Sequence, residues 1–158
     1  MATPPMPPEL DPATHRQLAA GLYNFTWKLM EKPDRTVEET DLMIHAAHAS
    51  RFHWEKLALA ANRSRGEWMC SRVYSVLGRG EPALWHARRC LELVEAGGDG
   101  LEDWDRGTAY EALARAHAVA GDRAESERYK ALAAAELPKI AEEDDRQVLA
   151  KDLASIPG

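Results

Sequence analysis

With 158 residues, the chain is long enough for one domain with a real core, removing roughly 70% of its unfolded surface from water. A composition that is 45% hydrophobic and 29% charged, rich in Ala, Leu, Glu and Arg and poor in β-branched residues, points to an all-α class. The net charge of -6 argues against a general polyanion binder, because phosphate contacts need dense basic surface, so nucleic acid is not an expected partner.

Residues 1–10 hold Pro4, Pro5, Pro7 and Pro8 and lack the apolar centre of a secretory signal. Repeated proline blocks helix and sheet pairing alike, so this segment is expected to be a disordered or extended arm. No later run is long enough to span a bilayer, and the expectation is a cytoplasmic protein with no membrane partner. The preference for Arg over Lys is compatible with a bacterial source.

Residues 11–158 read as one helical domain. Asp11 followed by Pro12 opens the first helix. Leu18, Leu22, Phe25 and Leu29 form one apolar stripe and Tyr23, Trp27 and Met30 a second, so this helix is expected between neighbours. Pro33 breaks it. Thr36 and Glu39 make a capping box for a long second helix that runs to about Ala61 and stops at Asn62. Its apolar face is expected to be Leu42, His45, Ala49 and Phe52, with Ala46, His53 and Leu57 at the margin. Ser64 and Glu67 repeat the capping signal and open a third helix ending at Gly78. The return helix starts at Glu81 and Pro82 and ends at Gly97, and Gly97, Gly98 and Gly100 mark a flexible loop.

Between residues 107 and 120 the side chains Tyr110, Leu113, Ala114 and His117 recur at helical spacing. Gly121 suits a helix terminus, and Asp122 can cap the next helix, which carries Ser126, Tyr129, Leu132, Ala133 and Leu137 before Pro138 closes it. Two helices joined by so short a turn lie antiparallel. Val148, Leu149, Leu153 and Ile156 follow an acidic start at Glu142 to Asp145, the charge a helix amino terminus favours. This makes seven helices in all.

Residues 107–140 resemble a tetratricopeptide repeat (TPR), a helical hairpin of about 34 residues. Tyr110, Leu113, Ala114, His117, Gly121, Ser126, Ala133 and Pro138 stand where its signature falls. His117 replaces a tyrosine and Lys130 an aromatic residue. A second copy over residues 64–97 has Cys70, Ser71, Tyr74, Gly78, Ala83, Cys90 and Leu91 in register, without the aromatic start or the closing Pro. The resemblance implies a TPR-like α-solenoid of antiparallel hairpins, capped by a C-terminal helix over residues 141–156. The loop between the units lengthens the usual period, so the stack is expected to bend or twist there.

The resemblance also implies a concave groove that binds a peptide or protein segment. Its positions would be Arg65, Trp68, Met69 and Arg72 from one helix and Thr108, Glu111, Ala112 and Arg115 from the next. Arg72 and Arg115 fall at equivalent places, and two guanidinium groups one repeat apart can grip an acidic or carboxylate-ended segment beside Trp68. The competing reading leaves these arginines solvated, or pairs them with Glu67 and Glu111 on adjacent turns. Self-association through the apolar first helices would give a homodimer.

The alternative is a helical bundle that binds a small molecule or a divalent transition metal through a histidine cluster. His45, His48 and His53 lie in one helix, with His15, His117, Asp41 and Glu55 as further donors. At 100° per residue His48 and His53 diverge by roughly 140°, so one ion would need ligands from other helices, whereas His45 and His48 share a face. The simplest reading of His45 is a core histidine beside Leu42, Ala49 and Phe52. Zinc-protease, di-iron, Walker, dinucleotide and nucleophile-elbow patterns are missing, so catalysis has no positive sign and no cofactor is expected. Cys70 and Cys90 read as reduced core residues, and Asp103 to Asp105 as a helix cap. Of Trp27, Trp54, Trp68, Trp85 and Trp104, the candidates for an exposed partner surface are Trp68 and Trp104.

Overall fold

A computed structural model describes residue 4 and residues 9–158, so most of the expected proline-rich arm lies outside the described residues. Seven α-helices follow, and no strand occurs among the described residues. Helix α1 (Pro12–Glu31) starts on Asp11, whose Oδ1 accepts from the Thr14 N–H at 3.0 Å, with Pro12 at the first helical position. Helix α2 (Val37–Glu55) opens with the expected capping box: Glu39 N–H donates to Thr36 Oγ1 at 3.2 Å and Thr36 N–H to Glu39 Oε2 at 2.9 Å. Helices α3 (Ala60–Val76), α4 (Gly80–Ala96), α5 (Asp105–Val119) and α6 (Arg123–Glu136) precede a 3₁₀ turn (Leu137–Lys139) and α7 (Glu143–Ala154). Asp122 caps α6, its Oδ1 accepting from the Glu125 N–H at 3.1 Å.

Consecutive helices pack on one another, and α1 also touches α3, α3 touches α5, and α5 touches α7. The odd-numbered helices therefore form a row. Helices α3 and α5, inside that row, are buried on nearly every side, which their small residues permit. Ala109, Ala112, Ala114 and Ala116 let neighbouring backbones close in around α5. Ser71 Oγ donates to the Ala83 carbonyl at 2.9 Å, and Ser50 Oγ to the Ala19 carbonyl at 2.8 Å, so small hydroxyls bond across crossings where a larger side chain would hold the helices apart. Met43, Met69, Val73 and Leu113 fill the centre, with Leu29 and Trp68 beside them.

The structure departs from the local expectations at four places. Helix α2 stops at Glu55 rather than near Ala61, because the chain turns through Ala58 at φ +55 and restarts at Ala60. Asn62, Ser64 and Glu67 consequently lie inside α3, where Ser64 Oγ bonds back to the Ala61 carbonyl at 2.9 Å instead of capping. The inward face of α2 is Met43, Ala46, Ala47 and Ser50. Leu42 and Phe52 remain 51% and 43% exposed and His45 is exposed as well, so His45 is not a core histidine. The small residues set this rotation, because they allow α2 to sit close to both α1 and α3. Likewise α1 is not sandwiched: it ends the row, packs Tyr23, Trp27 and Met30 on the core, and leaves Leu18 and Phe25 exposed. No helix among the described residues is long and apolar enough to cross a membrane.

The glycine loop between α4 and α5 folds back over the start of α3. The Asp99 backbone carbonyl accepts from the Ala61 N–H at 3.2 Å, and a Cβ on Gly98 would stand 2.7 Å from the Ala60 Cβ. Its φ of +131 is a conformation that glycine adopts without penalty.

The α1–α2 pair carries a pH-sensitive contact. His15 Nδ1 and His53 Nδ1 lie 2.8 Å apart, so one must donate and the other accept. Desolvation, reinforced by the charge of His15, holds His53 below the usual histidine range. The unfolded chain then binds the extra proton more readily, so the contribution of His53 is fully present above about pH 6.5 and is lost as pH falls through its lower folded value. Thermal unfolding is expected to show a melting temperature that declines between pH 7 and pH 5, and less steeply in the H53Q variant. An equal decline in both proteins would contradict the assignment.

Candidate functional site

The row of odd-numbered helices frames a cleft of about 560 Å³. Tyr23 and Trp27 come from α1, Arg65, Trp68 and Arg72 from α3, Thr108 from α5, and Val148, Leu149 and Asp152 from α7, with Trp104 at the threshold of α5. On α3 the spacing of residues 65, 68 and 72 puts all three on one stripe. The walls are aromatic: Trp27 and Trp68 lie 5.7 Å apart between ring centroids. The guanidinium carbon of Arg65 lies 4.2 Å from the Trp104 ring centroid and that of Arg72 5.6 Å from the Trp68 centroid, so both cations sit over indole faces.

Each arginine already has a carboxylate. Arg65 makes a forked pair with Asp105 at 3.0 and 2.8 Å, and Asp105 also accepts the Glu102 N–H at 2.8 Å. Glu111, 1% exposed, receives Arg72 Nη1 at 3.0 Å and Arg115 Nε at 2.8 Å on the same oxygen. The second nitrogen of Arg72 reaches Asp152 of α7 at 2.9 Å, and Arg115 Nη2 donates to the Asp152 carbonyl and to Ser155 Oγ, each at 2.8 Å. Helix α7 is thus pinned across the row by both arginines at once.

Among the expected groove positions, Arg65, Trp68, Arg72 and Thr108 line the cleft, while Met69, Glu111, Ala112 and Arg115 are buried and do not line it. Arg72 and Arg115 do converge, on Glu111 rather than on open space. Sequence reasoning missed Tyr23, Trp27 and the α7 side of the cleft, because nothing in the local pattern of residues 141–156 shows that this helix returns to α3. The exposed tryptophan is Trp85, at 60%, whereas Trp68 is buried in the cleft wall. Asp103 accepts the Ala141 N–H at 2.9 Å, tying the segment before α7 to the α4–α5 loop.

A second cluster occupies the opposite face of α3, where Glu67, Cys70 and Tyr74 recur at helical spacing. His48 from α2 and His86 from α4 complete it. One ligand atom each from His48, Cys70 and His86 lies within 4.8 Å of the other two. His48 Nε2 is 2.9 Å from Tyr74 Oη, and its Nδ1 is 3.9 Å from Cys70 Sγ. His86 Nδ1 meets Glu67 Oε2 at 2.7 Å, while Glu67 Oε1 receives Arg51 Nε at 2.8 Å. Burial pushes Glu67 up, but the hydrogen bond from His86 and the charge of Arg51 outweigh it and hold the carboxyl below its usual range. Desolvation, then the charge of His86, keeps His48 below the usual histidine range. Burial pushes the Cys70 thiol up to about 12.

Of the expected histidine cluster, only His48 belongs to this group. His45 faces solvent, and His53 turns to His15. The cause is geometric: His53 stands about 140° around the helix from His48, and His45, though near His48 in angle, meets no donor from another helix among the described residues, so donors gather only where neighbouring helices supply the rest. A signal was present in the spacing of Glu67, Cys70 and Tyr74, but not the partner from α4. Compared with protein-family models, with curated proteins and with solved structures, the chain matches none with significance.

Proposed function

We propose that the protein is a TPR-like scaffold that acts by non-covalent recognition, taking a short peptide or protein segment into the cleft along its odd-numbered helices. One observation carries this reading: four aromatic side chains, and two arginines placed over two of them, come from separate parts of the chain and converge on one concavity of about 560 Å³. That volume is suited to one or two side chains of a partner. Indole walls favour an aromatic or large aliphatic anchor. Arg72 favours a neighbouring carboxylate, because its outer partner Asp152 sits on a side chain 26% exposed that a partner's acid can replace. Helix α7 then acts as a built-in competitor for the same guanidinium.

The test is random-peptide display on the immobilised full-length protein, followed by affinity measurement. Enriched peptides should carry an apolar anchor next to Asp, Glu or a terminal carboxylate. Trp104→Ala should weaken binding at least tenfold, about 1.4 kcal/mol. Asp152→Asn should strengthen the binding of acidic peptides several-fold by releasing Arg72. Peptides that bind a cleft-filled T108W variant as well as the native protein would overturn the reading.

A further inference from the structure

We propose that His48, Cys70 and His86 bind one divalent ion of the zinc class, each residue giving one ligand atom and water completing a tetrahedron. The site joins α2, α3 and α4 and lies on the face of α3 turned away from the cleft, so it stands independently of the recognition function.

The donor set selects the ion. Two imidazoles and a thiolate suit Zn²⁺ or its spectroscopic substitute Co²⁺, whereas Mg²⁺ and Ca²⁺ demand oxygen ligands. In a tetrahedral zinc site, bond lengths of about 2.0 to 2.3 Å put ligand atoms about 3.3 to 3.6 Å apart. The 3.9 Å between Cys70 Sγ and His48 Nδ1 is already close to this. A group whose members lie within 4.8 Å closes by about an ångström through small side-chain rotations.

The surroundings supply the orientation such a site needs. The carboxylate of Glu67 accepts from His86 Nδ1, which leaves His86 Nε2 with a free lone pair, and Arg51 holds that carboxylate from its other side. Tyr74 Oη holds His48 Nε2 and directs the Nδ1 lone pair toward Cys70. A ligand nitrogen on one side of the imidazole and a carboxylate or phenol on the other is the arrangement that fixes tautomer and raises ligand basicity. Cys70 remains a neutral thiol unless a cation replaces its proton. Binding therefore exchanges the S–H bond for an S–metal bond and releases one proton to solvent.

The experiment uses full-length protein produced without a histidine tag, stripped with chelator and titrated with Co²⁺. Saturation at one equivalent is expected, with a thiolate-to-cobalt charge-transfer band, intense tetrahedral d–d absorption, loss of both on adding Zn²⁺, and release of one proton per ion. In Cys70→Ser the charge-transfer band should vanish, and in Glu67→Gln affinity should fall about 10- to 100-fold. Absence of a charge-transfer band in the native protein, or binding that survives H48A and H86A and is lost in H15A, would overturn the site. Because the native spectrum decides on its own, a variant that fails to fold does not rescue the idea.

Discussion

Replacing Glu111 by alanine is expected to lower the unfolding free energy by about 3–5 kcal/mol, the usual cost of deleting one partner from a buried ion pair. Glu111 is 1% exposed and serves Arg72 and Arg115 with a single oxygen. Its loss leaves Arg72, in the cleft wall, with only Asp152, and leaves the buried Arg115 with only the neutral acceptors of Asp152 and Ser155. Water cannot easily reach Arg115, which is 9% exposed, so the desolvation already incurred is no longer offset. Glu111→Gln keeps an acceptor in place without the charge and should fall between the two. Urea unfolding is the measurement: the midpoint should drop with an unchanged slope, since the unfolded state is hardly altered. A loss under 1 kcal/mol would mean the arginines are solvated as ordinary surface groups are. Because both arginines also hold α7, the alanine variant should in addition expose residues 143–154 to proteases before the rest of the chain.

Gly80→Val is the second large effect, and its cause is steric rather than electrostatic. Gly80 opens α4 where that helix passes the end of α5, and a Cβ there would stand 2.6 Å from the Ala120 Cα and 2.9 Å from its backbone nitrogen. Backbone atoms cannot swing aside as a flexible side chain does, so α4 and α5 must separate, at a cost of roughly 1–3 kcal/mol or more. Gly21 provides the control within the same fold. A Cβ there meets nothing within 4 Å, and the residue lies in the interior of α1. Gly21→Ala should therefore stabilise the protein by about 0.5–1 kcal/mol through helix propensity alone. Thermal unfolding of the two variants should move in opposite directions. Similar shifts of the same sign would show that the α4–α5 approach is looser than described.

The meeting of Arg72 and Arg115 on Glu111 bears on the proposed recognition. The resemblance to helical repeats implied that Arg72 and Arg115 would both face a partner. Here α7 folds across the end of the row, buries Leu149 and Ile156, and presents Asp152 to Arg72. Gly107 makes room for this, since a Cβ on it would come within 2.6 Å of Leu149 Cδ2. The final helix, expected as a cap on the stack, is therefore also one wall of the cleft.

Much of the helical order was legible in the residues themselves because it rests on local chemistry. Asp11 with Pro12, the Thr36 and Glu39 box, Asp122, and glycines at 78, 97 and 121 satisfy or release helix ends within a turn of their own position, so neighbours in sequence suffice to reveal them. The boundary at residues 56–59 escaped detection, since a turn through Ala58 carries none of the usual turn chemistry.

Side-chain destinations were a different matter. The sequence by itself determined that the chain is helical, where most helices start and stop, and that arginines and histidines are spaced along particular stripes. Only the tertiary structure decided which stripe turns inward, that Ala and Ser rather than Leu42 and Phe52 form the buried face of α2, and that His48 meets Cys70 and His86 rather than His45 and His53. The physical reason is one of range. Capping and propensity act within about four residues of a position, whereas the choice of face, the meeting of donors and the closing of a cleft depend on what helices distant in sequence place opposite it.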